Sequence, residues 1–412
     1  MKNNPDLYER IGEERTFEVD IIPPRLIKRE IVRPKYRHRL ERSRAPVLAP
    51  APRRVVEGSY ASAGLIAWVI LSKYRDHLPL YRQEKMFKRW NGAIPRQTLC
   101  DWIGAAAFLL EVIYWKIRAG LLGAGYLQVD ETPIRFVDPD QKKGKAGRGY
   151  FWIMGQPGGC VFIEWNLSRG QAAAEKLLDG FAGVLQTDGY AGYNGVHGPG
   201  RPITRVACLA HCRRKFAEAA DTEPVAAGFM LRLIGNLYHM DNQWERDGIT
   251  DPVQRSHLRK RDFATTLNLL RKAAVTLLKR VRPASKLGAA CSYLLGQWDA
   301  LVKICDYGQV RLDNNLIENA VRPTAVGKKN WLFVGAPHAG KRSAILYTLL
   351  LSAERCGIDP LHYLQDLLEK LPAMSNHDDF TGLLPHHWKP SQPYLGNPDG
   401  DHLDVENVTI DV

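Results

Sequence analysis

The sequence has little cysteine and lacks the features of secreted and membrane proteins. Its seven cysteines are odd in number, scattered, and form no C-x-x-C pair, which argues against a disulfide framework or a paired zinc knuckle. No stretch approaches the roughly 20 apolar residues of a membrane span, and the N-terminal MKNNPDLYER lacks the apolar core of a signal peptide. We therefore expect reduced thiols, no membrane association and a cytoplasmic location.

Acidic residues are scarcer than basic ones. Asp and Glu number 44 against 57 Lys and Arg, which gives a net charge of +13 and a pI of about 9.4. Such a balance favours a polyanionic partner, either nucleic acid or an anionic membrane surface. The length of 412 residues and the 45% hydrophobic content predict a globular protein of two or three domains.

The first 122 residues suggest a basic arm followed by a helix-turn-helix. Residues 1–55 are predicted to be an extended arm, because nine Lys or Arg against two Glu in residues 25–44 precede the Pro-rich APVLAPAPRR. This arm is either a solvated tail or a phosphate-contacting segment. Residues 56–122 show helical periodicity broken by NGAIP. Arg96, Gln97 and Thr98 would then lie on the first turn of a recognition helix, although many helical hairpins of this kind bind no DNA.

The rest of the chain predicts an α/β fold with a mixed sheet. Residues 123–215 give three strands, a helix, a strand, a helix or loop, and a final strand, an order shared by the ribonuclease H-like fold. Residues 216–308 are predicted to be an all-helical insertion, and residues 309–372 the second part of the core, with a short strand at Asn330–Gly335. Residues 373–412, rich in Pro, His, Asp and Gly, are predicted to be a loop-like or disordered tail.

Two predicted strands end in an aspartate. Asp130 follows LQV and Asp188 follows LQT, and adjacent strand ends of a mixed sheet face one crevice. Two carboxylates so close repel unless a cation lies between them, and Mg²⁺ or Mn²⁺ prefers such oxygen ligands. Each aspartate could instead simply cap a strand or turn.

Glu318 is the candidate for a third carboxylate. It lies in a polar cluster around LDNNLIENAVR, ahead of Lys328, Lys329 and an aromatic segment suited to gripping a DNA backbone. A structural role is also open, because Asn315 and Glu318 fit a capping box, and Glu318 and Arg322 fit a helical i,i+4 salt bridge.

The blocks SKYRDHLPLYRQEKMF, LQVDETPIRF, LQTDGYAGYN, RVACLAHCRRKF, LDNNLIENAVRPTAVGKKNWLFVGAPHAG and LLPHHW resemble the signature blocks of insertion-sequence-66 family transposases, the bacterial DDE type. The resemblance implies a ribonuclease H-like catalytic core split by the helical insertion, with Asp130, Asp188 and Glu318 as the catalytic, metal-binding triad. It implies DNA strand cleavage and strand transfer of an insertion sequence with Mg²⁺ or Mn²⁺. The residues that would position DNA are Arg96, Gln97, Thr98, Tyr190, Tyr193, His211, Arg213, Arg214, Lys215, Arg322, Lys328, Lys329 and Trp331.

The expected partners are double-stranded DNA, as terminal inverted repeats and target, possible accessory proteins of the same element, and further copies of the chain on DNA. The resemblance also implies a bacterial cytoplasmic protein, associated with the nucleoid when DNA is bound.

Some of these residues also have a purely structural explanation. HCRRKF could be only a basic helix start, and Trp331 could be only a core residue. A zinc site is not expected at Cys208, His211 and Cys212, because all three lie on one helix turn without a distant pair of ligands.

The N-terminal part departs from the family pattern. Where relatives carry a cysteine pair after RPKY, this chain has RHRLE, so no bound zinc is expected. The alternatives to a working transposase are a truncated or inactive copy that only binds DNA, and a ribonuclease H-like nuclease, which would not explain the helix-turn-helix. Strand alternation sends Asp130 and Glu131 to opposite faces, and motif position favours Asp130 as the ligand.

Overall fold

A computed structural model describes residues 12–19, 24–138 and 146–390. The described part of the basic arm is extended and mostly exposed, with a short antiparallel pair of strands, β1 (Lys35–Tyr36) and β2 (Val47–Leu48). No helix forms within the described residues 24–62, which include the Pro-rich segment, as the composition of that segment predicts. Arg53 ties the arm to the body by donating a hydrogen bond to the carbonyl of Pro372 at 3.2 Å.

Three helices follow: α1 (Ala63–Tyr74), α2 (Leu80–Arg89) and α3 (Arg96–Leu122). The prediction of one continuous helix before NGAIP is wrong, because His77 adopts φ 59° and Pro79 caps α2, which separates α1 from α2. The predicted turn is confirmed. Asn91 has φ 57° just after α2, and Pro95 is the N-cap of α3, so Arg96 begins the next helix.

The long helix α3 belongs to the core of the protein. By length and composition it could cross a membrane, which corrects the expectation that no stretch approaches that apolarity. However, Leu99, Leu110 and Ile117 lie in the same hydrophobic cluster as the sheet, and the Tyr114 hydroxyl donates to the carbonyl of Ile163 at 3.0 Å. A helix buried in this way is explained as a core helix of a globular fold.

The main sheet has five strands in the order β5-β4-β3-β6-β7. The pairs among β3, β4 and β5 are antiparallel, whereas β3, β6 and β7 pair in parallel, so the predicted mixed sheet is confirmed. The first strand continues beyond its predicted end at Asp130. The elements are β3 (Tyr126–Val137), β4 (Ala146–Gly155), β5 (Val161–Asn166), helix α4 (Gln171–Leu177), β6 (Gly183–Thr187), a 3-10 helix (Ala191–Val196) and β7 (Ile203–Ala207).

Five helices follow β7: α5 (Leu209–Ala219), α6 (Pro224–Arg246), α7 (Pro252–Leu278), α8 (Lys286–Gly296) and α9 (Trp298–Val302). Alternate residues of β3 divide between two hydrophobic clusters. Tyr126 packs with these five helices, whereas Leu127 and Val129 pack in the larger cluster that contains α3. The period of two along a strand produces this division, so Gln128 and Asp130 project on the same side as Tyr126.

The chain returns to the sheet with α10 (Asn315–Trp331), α11 (Pro337–Arg355) and α12 (Pro360–Lys370). Helix α11 covers the open edge of β5. The backbone N–H groups of Val161 and Ile163 donate to the hydroxyls of Ser352 and Thr348, at 3.1 and 2.9 Å. Edge N–H groups that are satisfied in this way cannot recruit another strand.

Two predictions for the C-terminal third differ from the structure. The prediction of a strand at Asn330–Gly335 is wrong, because α10 extends to Trp331 and Leu332 then takes φ 56°. The segment after Met374 is irregular, as predicted, but its described part packs on the body. Leu383 is buried, and the indole N–H of Trp388 donates to Asp366 at 2.8 Å. Residues 391–412 of the predicted tail lie outside the described residues.

Candidate active site

Asp130 and Asp188 lie side by side because of the register between β3 and β6. These parallel strands pair Gln128 with Gln186, and each aspartate follows its glutamine by two residues, on the same face. The side-chain amide of Gln128 donates to Gln186 Oε1 at 2.9 Å, which fixes the register at this point. The two carboxylates therefore face the same space above the sheet.

The same glutamines hold the segment that leads into α10. Gln128 Nε2 donates to the carbonyl of Asp313 at 2.8 Å, and Gln186 Nε2 donates to the carbonyl of Arg311 at 2.8 Å. Buried amides need such partners, since an unpaired one costs about 1–3 kcal/mol. As a result α10 starts beside the aspartates, with Glu318 in its first turn.

The three carboxylates influence one another electrostatically. Burial, followed by the negative charge of Glu131, raises the pKa of Asp130 from 3.8 to about 8, and the charges of Glu318 and Asp188 act in the same direction. The backbone N–H of Glu131 offsets part of this by donating to Asp130 Oδ1 at 2.9 Å. Asp130 thus occupies a site that favours either a proton or a nearby cation.

Glu318 is held from α5, and neither structural alternative from its sequence is realised. Arg214 Nη2 donates to Glu318 Oε2 at 3.2 Å, and His211 Nε2 lies 3.6 Å from Oε1. The N–H of Asn315 is instead capped by Asp313 Oδ1 at 3.1 Å. Glu318 Oε1 is buried without a hydrogen-bond partner among the described residues, and burial lowers the pKa of His211, so this oxygen remains available as a ligand.

Glu131 belongs to a separate buried network. The guanidinium of Arg169 contacts its carboxylate at 2.6 Å, and the hydroxyl of Tyr193 donates to it. Tyr193, which was predicted to position DNA, is fully buried, so its hydroxyl acts within the fold on Glu131. Arg169 also stacks on the Tyr190 ring, 3.9 Å from its centroid. Glu131 is thereby paired, and the network braces the loop after β6.

The loop that carries Asp188 is fixed on several sides. Its Oδ1 accepts from the N–H of Tyr190 at 2.9 Å, and Arg205 donates to its carbonyl at 2.6 Å. Gly189 donates to the Tyr293 hydroxyl at 3.0 Å, and a Cβ at Gly189 would come within 2.8 Å of that ring. Only glycine permits this approach of α8, so the loop position depends on it.

Apart from Tyr190 and Tyr193, the residues predicted to contact DNA lie on two parts of the structure. On α5, Arg213, Arg214 and Lys215 are exposed and His211 is half-buried, whereas on α10 Arg322 and Lys329 are exposed and Lys328 is half-buried. Lys328 donates to the carbonyl of Pro133 at 3.3 Å, and burial lowers its pKa. The second group is at the start of α3, where Arg96 and Gln97 are exposed, Thr98 is half-buried, and the half-buried Trp331 and Arg96 line the same cleft.

Three functional-site residues were missed in the sequence. Gln128 and Gln186 were visible as the repeated Leu-Gln before each aspartate, an unusual choice for buried strand positions. Arg169 carried no comparable signal, because only the fold brings it to Glu131.

The donor set suits a hard divalent cation, although the described part of the chain contains no group of three or more His, Cys, Asp or Glu side chains already arranged as metal ligands. Carboxylate oxygens are the preferred ligands of Mg²⁺ and Mn²⁺. A bound cation would lower the raised pKa of Asp130 and would give the unpartnered Glu318 Oε1 a partner. Cys208 and Cys212 are both buried, and Cys212 lies in the hydrophobic cluster of the helices that follow β7.

Comparison with known proteins places these residues in a family context. The model described as Transposase IS66 family matches residues 58–342, and the model described as IS66 C-terminal element matches residues 348–386. Uncharacterized protein y4jD of Sinorhizobium fredii (strain NBRC 101917 / NGR234) is 30% identical over 397 residues, which covers 93% of this chain and 77% of the relative. Uncharacterized proteins y4qI and y4hP of the same strain are 28% and 27% identical, covering 72% and 71% of their lengths and 92% of this chain. All three carboxylates lie within the first matched range.

Proposed function

The chain belongs to the IS66 transposase family, and from this premise we propose that it cleaves and joins DNA strands of an insertion sequence through Asp130, Asp188 and Glu318. The observation that carries the proposal is the convergence of these carboxylates above one face of the sheet, where burial and the charge of Glu131 raise the pKa of Asp130 and the charges of Glu318 and Asp188 add to that shift. A ribonuclease H-like core is part of the proposal. The three antiparallel strands followed by helix-linked parallel strands support it.

Asp130, Asp188 and Glu318 would hold the divalent cation, Mg²⁺ or Mn²⁺. When bound, the cation supplies activation of the attacking hydroxyl and stabilisation of the leaving 3′-oxygen of a phosphodiester. The chain itself fixes the ligands. Arg214 and His211 orient the Glu318 carboxylate, and the register between β3 and β6 sets the spacing of the aspartates.

The cationic side chains around the site would hold the DNA. Arg213 and Lys215 are exposed on α5 and Lys329 on α10, the two helices that carry Arg214 and Glu318, and these cations can neutralise phosphates of the terminal repeat or the target. Because Arg214 already pairs with Glu318, it acts in this proposal on the carboxylate more than on DNA. Assembly of several copies on DNA, help from accessory proteins of the same element, and a cytoplasmic, nucleoid-associated location are further parts of the proposal.

A second candidate is a chain that binds DNA without cleaving it. The observation that favours it is the lack, within the described residues, of a preformed ligand set of three or more side chains. The two functions differ in one measurable property, since a DNA-binding remnant would bind the terminal repeat with no requirement for Mg²⁺ or Mn²⁺ and would leave the strands intact.

The deciding experiment is cleavage of a labelled duplex that carries the terminal repeat of the element, with Mg²⁺ or Mn²⁺, by the native chain and by Glu318→Gln. A matched control is Glu218→Gln, which removes an exposed carboxylate on α5. We expect metal-dependent nicking by the native chain and the control, and none by Glu318→Gln. Binding without nicking by all three proteins would reject the enzyme and support the DNA-binding remnant.

A further inference from the structure

A cleft of about 380 Å³ lies where α1, α2 and α3 meet the loop between α10 and α11. Its volume falls within the range of about 300–1,000 Å³ typical of small-molecule sites. The cleft is separate from the carboxylates, none of which lines it. The side chains that give it chemical character are Lys73, Arg96, Arg342, Tyr81, Trp331 and Phe333.

The charge of the cleft is entirely positive. Lys73, Arg96 and Arg342 line it without Asp or Glu, and in the described part of the chain none of the three forms an ion pair. Cations brought together without counter-charges repel, and an anion between them is favoured. Guanidinium groups match the geometry of phosphate oxygens, so the cleft is suited to a phosphate.

The cleft also presents aromatic rings. Trp331 and Phe333 both line it, and between them Leu332 has φ 56°, a conformation that a branched residue adopts only when its surroundings impose it. The indole N–H of Trp331 is buried without a hydrogen-bond partner among the described residues. Together with Tyr81, which is 42% exposed, these rings supply a stacking surface.

We propose that this cleft binds one nucleotide unit, with its base against the aromatic rings and its phosphate on Arg96, Arg342 and Lys73. A planar aromatic base joined to a phosphate is the ligand class that would use both the aromatic rings and the cations of the cleft. Arg96 and Trp331, which line the cleft, are among the residues predicted to position DNA, so the nucleotide would come from a DNA strand in which it is unpaired. The inference rests on the proposed function for its DNA source, whereas a free nucleotide would use the same chemistry.

The test is binding, measured in EDTA so that it does not depend on strand cleavage. The probes are a fluorescent duplex with one unpaired nucleotide, the same duplex fully paired, a duplex with an abasic residue at the unpaired position, and a free deoxynucleoside monophosphate. We expect tighter binding of the unpaired nucleotide than of the paired or abasic duplex, and quenching of tryptophan fluorescence. Trp331→Leu should weaken binding of the unpaired duplex by about 5- to 150-fold.

Arg96→Ala is the second variant, since its exposed side chain can be removed without loss of folding, and it should reduce the same preference. Arg232→Ala and Phe108→Ala, exposed residues outside the cleft, are the matched controls and should retain it. Binding of the monophosphate alone would assign the cleft to free nucleotides. Equal binding of all duplexes, unchanged in both cleft variants, with no monophosphate binding, would overturn the proposal. Nicking activity can fail without affecting these results.

Discussion

Gln128 donates a hydrogen bond to Gln186 at 2.9 Å, and two residues further along each strand stands an aspartate, Asp130 or Asp188. The pair of amides therefore sets the spacing of the pair of carboxylates. The same amides bind the backbone that leads to Glu318. One hydrogen-bonded unit therefore positions three acidic side chains, which follow or belong to β3, β6 and α10.

Asp130→Asn should stabilise the metal-free chain at pH 8. Because burial and the charge of Glu131 raise the pKa of Asp130 from 3.8 to about 8, the folded chain holds this proton more tightly than the unfolded chain. The free energy of unfolding of the native chain should therefore fall between those two pH values, and the variant should lack that loss. Between pH 5 and pH 8 the native chain should lose on the order of 4 kcal/mol of unfolding free energy that the variant keeps, and urea unfolding at the two pH values measures this difference.

Divalent cations provide the internal check on this result. Mg²⁺ or Mn²⁺ should raise the melting temperature of the native chain at pH 8 and leave Asp130→Asn nearly unchanged. Glu218→Gln, an exposed change, should behave as the native chain. An identical pH dependence in Asp130→Asn and the native chain would show that Asp130 ionises normally.

Arg214→Ala should reduce strand nicking by about 10- to 100-fold, the range typical of residues that orient a metal ligand. Its contact with Glu318 is partly exposed, so the change in free energy of unfolding should stay within about 0.5 kcal/mol. Nicking at increasing Mn²⁺ is the measurement, because a weakened ligand set needs more metal. Arg232→Ala is the control, and a loss in Arg214→Ala that is independent of metal concentration would point to DNA contact instead.

Tyr193→Phe should destabilise the fold by about 1–3 kcal/mol, because it leaves one buried oxygen of Glu131 without its donor. Nicking should also fall, since the network braces the Asp188 loop, whereas affinity for DNA should not change. Tyr363→Phe is a matched control: its buried hydroxyl donates to the carbonyl of Leu383, far along the chain from the site. A comparable stability loss with normal nicking in that control would separate the two effects. Weaker DNA binding by Tyr193→Phe would support the DNA-positioning role that the sequence predicts for Tyr193.

Asp241→Asn should destabilise the chain by about 3–5 kcal/mol. Asp241 is buried and contacts Arg255 and Arg259 at 2.7 and 2.8 Å, so its loss leaves two buried cations without a counter-charge. Asp306→Asn, which removes an exposed partner of Lys260 at 2.9 Å, should cost less than about 1 kcal/mol. Chemical denaturation of both variants tests the difference, and equal effects would contradict it.

Cys356 should be alkylated faster than the other cysteines near neutral pH. The hydrogen bond from Cys160, whose sulfur lies 4.0 Å away, and the charge of Arg355 lower the pKa of the Cys356 thiol, whereas burial raises that of Cys305 to about 11. The thiolate is the reactive form. Iodoacetamide labelling followed by peptide mass spectrometry should show Cys356 first, with slower labelling in Cys160→Ala. Preferential labelling of Cys305 would contradict the assignment.

Much of the secondary structure follows from local patterns. The apolar runs ending in LQVD and LQTD gave two strands of the sheet, and Asn91 and Pro95 marked the turn before α3. Errors occur where tertiary contacts outweigh local preference. The apolar and aromatic residues 331–334 look like a strand, but the end of α10 and the bend at Leu332 place Trp331 and Phe333 at a cleft.

The sequence by itself determined that this chain is a basic α/β protein, which acidic residues follow its strands, and which family blocks it carries. Only the tertiary structure decided that Asp130 faces Asp188 and Glu318 while Glu131 is paired with Arg169 and Tyr193. The physical reason is the separation along the chain of the residues that determine each property. Strand periodicity and charge are properties of neighbouring residues, whereas the pKa of a carboxylate depends on burial and on charges brought close from distant parts of the chain.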